Sequence, residues 1–117
     1  MTEPGRAIDL DHLDRYTGGD PALNAEILRL FEGQASEMLG RLEALGAGPA
    51  DAKLWREITH TLKGASRGIG AFALGDAAAE AEQAAADRTA AVAALERLKR
   101  QSAAVTAFIA EILNQPA

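Results

Sequence analysis

The sequence predicts an all-α protein, an antiparallel four-helix bundle with a short additional N-terminal helix. Hydrophobic residues make up 48% of the chain but aromatics only 4%, an aliphatic, alanine-rich supply that suits close-packed helices better than a β-sandwich. Apolar residues recur at intervals of three and four over long stretches. Clusters of Gly, Pro and Asp interrupt that rhythm at brief connections of the kind antiparallel bundles use.

Residues 1–7 are expected to form a flexible tail and residues 8–114 a single domain. Ile8, Leu10, Leu13 and Tyr16 give a short apolar pattern that stops at Gly18-Gly19, which fits a short leading helix. Asp20-Pro21 supplies an N-cap and a first-turn proline. Ile27, Phe31, Ala35, Met38, Leu42 and Leu45 then draw one stripe until Gly46-Ala47-Gly48-Pro49 ends it, a helix of about 25 residues and roughly 37 Å. The third helix is expected from Pro49–Asp51, with Leu54, Ile58, Leu62, Ala65 and Ile69 on its buried side and Gly68 and Gly70 weakening its end.

From Ala71 to Ala86 the chain is mostly alanine, with Phe72 and Leu74 as anchors and Glu80 and Glu82 spaced along it. Helix propensity there is high and bulk is low, so neighbouring helices can approach closely. Leu95, Leu98, Ser102, Val105, Ile109 and Ile112 mark a last long helix ending before Pro116. No glycine or proline separates these two segments, and Asp87 and Thr89 are the capping candidates for the break. The alternative, one helix of more than forty residues, is more than a small domain could bury.

At 117 residues the chain suffices for one domain with a real core, and a complete ATP-using kinase is not expected in it. A net charge of −5 argues against general nucleic-acid binding, which needs a basic footprint. Without cysteine there is no disulfide framework, thiolate metal site or thiol nucleophile. No apolar run reaches a membrane span, and Met1–Arg6 is followed by no signal-peptide core, so no membrane association and a cytoplasmic location are expected.

The chemistry concentrates between His60 and Ala71. At 100° per residue, Arg67 lies about 20° from His60, Arg56 and Gly64 about 40°, and Lys63 and Glu57 about 60°, so all share one helix face. Ile58 and Leu62 lie about 160° away, so burying them turns His60 outward. Neutral imidazole is a nucleophile near pH 7, and Lys63 and Arg67 can offset the negative charge of a phosphoryl group placed on it. Gly64 costs its helix roughly 1 kcal/mol relative to alanine, intelligible if a partner must come within backbone distance of the ring. Trp55 reads as core or interface, and Arg56 and Glu57 as a solvated face outside the chemistry.

Glu57-Ile58-Thr59-His60 also has the Glu-x-x-His spacing of carboxylate-bridged metal sites. Such sites require a second copy and two further glutamates. The other histidine, His12, has only Asp9 three residues before it, so the set is incomplete and no metal is expected.

The run His60-Thr61-Leu62-Lys63-Gly64-Ala65-Ser66, followed by Gly70-Ala71, resembles the His-x-Leu-Lys-Gly signature of the histidine-containing phosphotransfer (HPt) family of two-component phosphorelays. Leu13, Tyr16, Gly19-Asp20, Ile27 to Phe31, Leu74 and Glu82 extend the similarity to residues 8 to about 113. The resemblance implies a four-helix bundle in which His60 accepts a phosphoryl group from a receiver-domain aspartate and passes it to another. Lys63 and Gly64 carry over as charge-compensating and partner-accommodating positions, while Arg67 stands where the family is variable and rests on helix geometry. Ala77 and Ala81 depart from the larger aliphatics often found at their positions.

The resemblance further implies that the chain binds no cofactor, with Mg²⁺ supplied by the receiver. Receiver domains are the expected partners, with a hybrid histidine kinase as a further one, and the chain itself is expected to be a monomer. The docking surface is expected on residues around His60: Arg56, Gly64, Ser66, Gly68 and Ala71. The competing reading is a non-catalytic adaptor that binds receiver or kinase domains without turnover. A purely structural bundle leaves Gly64, on the exposed side of a helix, without a reason.

Overall fold

A computed structural model describes residues 6–45 and 51–114. Among these the chain forms five helices and no strand: α1 (Leu10–Thr17), α2 (Pro21–Leu45), α3 (Ala52–Gly68), α4 (Phe72–Gln83) and α5 (Arg88–Leu113). Helices α2 to α5 pack as a ring in which each touches its chain neighbour and α5 closes back on α2, while α1 lies against α2. This is the expected four-helix bundle with a short leading helix. Helices α3 and α4 run antiparallel: Arg67 near the end of α3 meets Asp76 near the start of α4, while the earlier Lys63 meets the later Glu82.

The local signals act as capping chemistry requires. Asp20 Oδ1 accepts from the backbone N–H groups of Ala22 (2.9 Å) and Leu23 (3.3 Å), with Pro21 as the first residue of α2. Asp51 receives Leu54 N–H at 3.4 Å and starts α3. Asp87 receives Ala90 N–H at 3.1 Å, so the break between the last two helices falls at the expected aspartate. The expected stop at Gly46-Ala47-Gly48-Pro49, residues 1–5 of the expected tail, and Pro116 lie outside the described residues. Of the tail's remainder, Ala7 packs against the core. Among the described residues no helix is long and apolar enough to cross a membrane.

Several side chains sit differently from expectation. Tyr16 is 72% exposed, its ring edge-on to His12, so Leu13 is the buried anchor of α1, with Leu10 partly covered beside it. In α2 the first fully buried position is Leu28, and Ile27 is half-buried. Phe72 is 42% exposed, with His12 packed edge-on at 5.1 Å, so Leu74 anchors α4. The buried face of α3 is rotated: Trp55, Thr59 and Ser66 join Ile58 and Leu62, whereas Leu54 and Ala65 are only partly covered.

Small residues of α4 account for that rotation. Leu74, Gly75, Ala77, Ala78 and Ala81 are all buried, and apart from Leu74 their lack of bulk lets the α3 backbone come close. Trp55 fills the space and donates Nε1–H to the Ala81 carbonyl at 2.8 Å, while Thr59 satisfies its hydroxyl on the Trp55 carbonyl at 2.8 Å. The alanine at 81 is thus matched by a large residue on the facing helix, and Ala77 is fully buried beside it on α4.

Gly70 fixes the α3–α4 turn. Its φ of +89° lies in the left-handed region, and a Cβ there would stand 2.6 Å from the Asp9 carbonyl oxygen. Its own carbonyl accepts from Asp9 N–H at 2.9 Å, tying the lead into α1 to the turn.

Candidate functional site

The turn at Gly70-Ala71 folds α4 back along α3, and Ala71 stands equidistant in sequence from His60 and Glu82. The two side chains meet: His60 Nδ1 lies 3.0 Å from Glu82 Oε2. Lys63, one turn beyond His60, donates from Nζ to the other carboxylate oxygen of Glu82 at 2.8 Å. The His60 side chain is 68% exposed, whereas Lys63 and Glu82 are 23% and 19% exposed. The outcome is a solvent-facing imidazole held from one side by a partly sheltered ion pair.

A carboxylate can only accept, so the contact at Nδ1 places an N–H there, and in the neutral ring the lone pair falls to Nε2. The Lys63 ammonium is the main cause that holds the Glu82 carboxyl below its ordinary range, partial burial works against it, and the His60 ring adds to the lowering. Glu82 therefore stays a charged acceptor at neutral pH.

Glu82 belongs to the family resemblance, but the sequence alone assigns it no role. The signal that could have found it is the antiparallel turn centred on Ala71, which brings position 82 opposite 60.

Arg67 shares the His60 face, yet its Nη2 donates to Asp76 Oδ1 at 3.3 Å, and its stem crosses Gly75, where a Cβ would stand 2.7 Å from Arg67 Cγ. Gly64 is exposed, and a Cβ built on it meets nothing within 4 Å; the same holds for Gly68. The protein's own packing therefore does not demand glycine at 64. Arg56 is exposed and lines a shallow cleft of about 310 Å³ with Lys53, Glu57, His60 and Glu82.

Two residues expected on the docking surface are not on it. Ser66 is fully buried because it lies on the core side of α3, and its Oγ finds no partner among the described residues. Ala71 is fully buried because the Gly70 turn tucks it under the end of α3, where its N–H donates to the Ser66 carbonyl at 2.8 Å. Among the described residues no three His, Asp or Glu side chains converge as metal ligands.

Neither the curated proteins nor the solved structures contain a significant match to the chain. The Hpt domain family model, in contrast, matches residues 26–114, a span that carries His60, Lys63 and Glu82 on adjoining helices. Together with the bundle and the exposed, carboxylate-held histidine, that match makes the chain a member of the Hpt domain family, whose role is histidine phosphotransfer in phosphorelays with response-regulator receiver domains.

Proposed function

We propose that His60 is the phosphoryl-accepting residue and that the chain shuttles a phosphoryl group between receiver-domain aspartates. The observation that carries this reading is the contact between His60 Nδ1 and Glu82 Oε2, which leaves Nε2 as the nucleophilic nitrogen of an exposed ring. Nε2 attacks phosphorus of the aspartyl phosphate, a P–N bond forms, and the P–O bond to the aspartate breaks so that the carboxylate leaves. The ring gains positive charge in this step while keeping its Nδ1 proton, and Glu82 lies where it stabilises that charge. Onward transfer reverses each event on a second receiver.

Lys63 orients Glu82 and supplies positive charge close to the developing phosphohistidine. Gly64 leaves the surface one turn beyond His60 open to a partner's backbone. Magnesium belongs to the receiver in this account, and the chain's share is nucleophile, charge and docking surface.

The test is incubation with phosphorylated receiver domains, comparing the native chain with His60→Gln. Acid-labile, base-stable label on the native chain alone supports the reading. Equal labelling of the Gln variant overturns it, and docking by both chains without label on either identifies an adaptor instead.

A further inference from the structure

The cations on the His60 face are not equivalent. In register with His60, α3 presents Lys53, Arg56, Lys63 and Arg67, all within about 60° of it. The two on the C-terminal side are already held by carboxylates of α4, Lys63 by Glu82 and Arg67 by Asp76. The two on the N-terminal side, Lys53 and Arg56, are exposed and have no ion-pair partner among the described residues. They line the cleft that reaches His60, with Glu57 as the one exposed carboxylate on its edge.

We infer that Lys53 and Arg56 form the docking site for the acidic margin of the phosphoryl-bearing receiver, and that they set affinity for it rather than the rate of the chemical step. The inference rests on the phosphotransfer reading of His60. An aspartyl phosphate is itself an anion, so any protein that presents it to Nε2 brings negative charge to this face. Towards the C-terminal end of α3 that charge meets cations already paired with carboxylates of α4, which share their field. Towards the N-terminal end it meets two whose charge is uncompensated. Lys53 is seven residues from His60, about 10 Å along the helix, which is close to the Debye length at physiological salt. Both cations therefore act on the approaching partner while it is still being steered. The cleft is shallow and open, a shape that admits the rim of another protein.

The opposite signs of Arg56 and Glu57 on one cleft give the test its discrimination. Steady-state transfer from a phosphorylated receiver domain is measured across a salt series for the native chain, Lys53→Glu/Arg56→Glu and Glu57→Gln. The double variant is expected to raise KM about tenfold, keep kcat within about twofold and flatten the salt dependence. Glu57→Gln is expected to lower KM about twofold. All three positions are exposed, so helical circular dichroism should match across the set. A KM within twofold of native in the double variant, or a loss confined to kcat, overturns the inference while His60 remains the acceptor. A native chain that takes no label on His60 overturns the phosphotransfer reading and this inference with it.

Discussion

Replacing Glu82 by glutamine removes the charged acceptor of His60 Nδ1 while keeping the side chain's size and reach. A hydrogen bond to a charged group is worth about 1.5–3 kcal/mol and a neutral one about 0.5–1.5 kcal/mol. The difference is roughly 1 kcal/mol once the 68% exposure of His60 is allowed for. If that difference is felt in the transition state, Glu82→Gln slows transfer about three- to tenfold. Glu82→Ala, which leaves no acceptor, costs more. The assay is rapid-quench transfer from a phosphorylated receiver at saturating concentration, with ¹⁵N NMR of the imidazole reporting which nitrogen carries the proton. Native transfer rates in both variants, with the Nδ1–H tautomer unchanged, would refute the role given to Glu82.

The same residue predicts a pH signature. Because the folded-state value of Glu82 lies below the ordinary 4.5, its contribution to stability is present above 4.5 and is lost as pH falls through the lowered value. Urea unfolding at neutral and acid pH should show the gap between native and Glu82→Gln chains closing below about 4.5.

Three further substitutions separate function from packing. In Gly64→Gln the new Cβ meets nothing within 4 Å and the substitution replaces a poor helix former, so it should raise stability by up to about 1 kcal/mol while slowing transfer at least tenfold; native transfer rates would sink the steric account. Gly70→Ala forces a Cβ to 2.6 Å from the Asp9 carbonyl at positive φ and should lower stability by about 1–3 kcal/mol, which an unchanged thermal midpoint would contradict. Ser66→Ala removes a buried hydroxyl with no partner among the described residues and should be neutral or stabilising by about 1 kcal/mol, with a loss in urea unfolding as the contrary result.

Most of the architecture was readable because it rests on local chemistry. Asp20-Pro21 and Asp87 start helices through bonds made within a single turn, and a stripe at spacings of three and four identifies a buried face without knowledge of what covers it. What escaped depends on the partner helix. The buried side of α3 turned towards Trp55 and Ser66 because the alanines of α4 allow a close approach. Tyr16 and Phe72 are large and apolar, yet they lie at the outer edge of α1 and at the first turn of α4, where they shelter His12 more than the core. The common face of His60, Lys63 and Gly64 was legible from one helical wheel. Glu82 needed the antiparallel register of two helices, and the pairing of Arg67 with Asp76 needed the same.

The ring nitrogen that carries phosphorus tests the account most directly. After transfer from a receiver domain, ³¹P and ¹⁵N NMR of the labelled chain should place the phosphoryl group on Nε2 of His60, with Nδ1 still protonated against Glu82. Phosphorus on Nδ1, or on any residue other than His60, would contradict it.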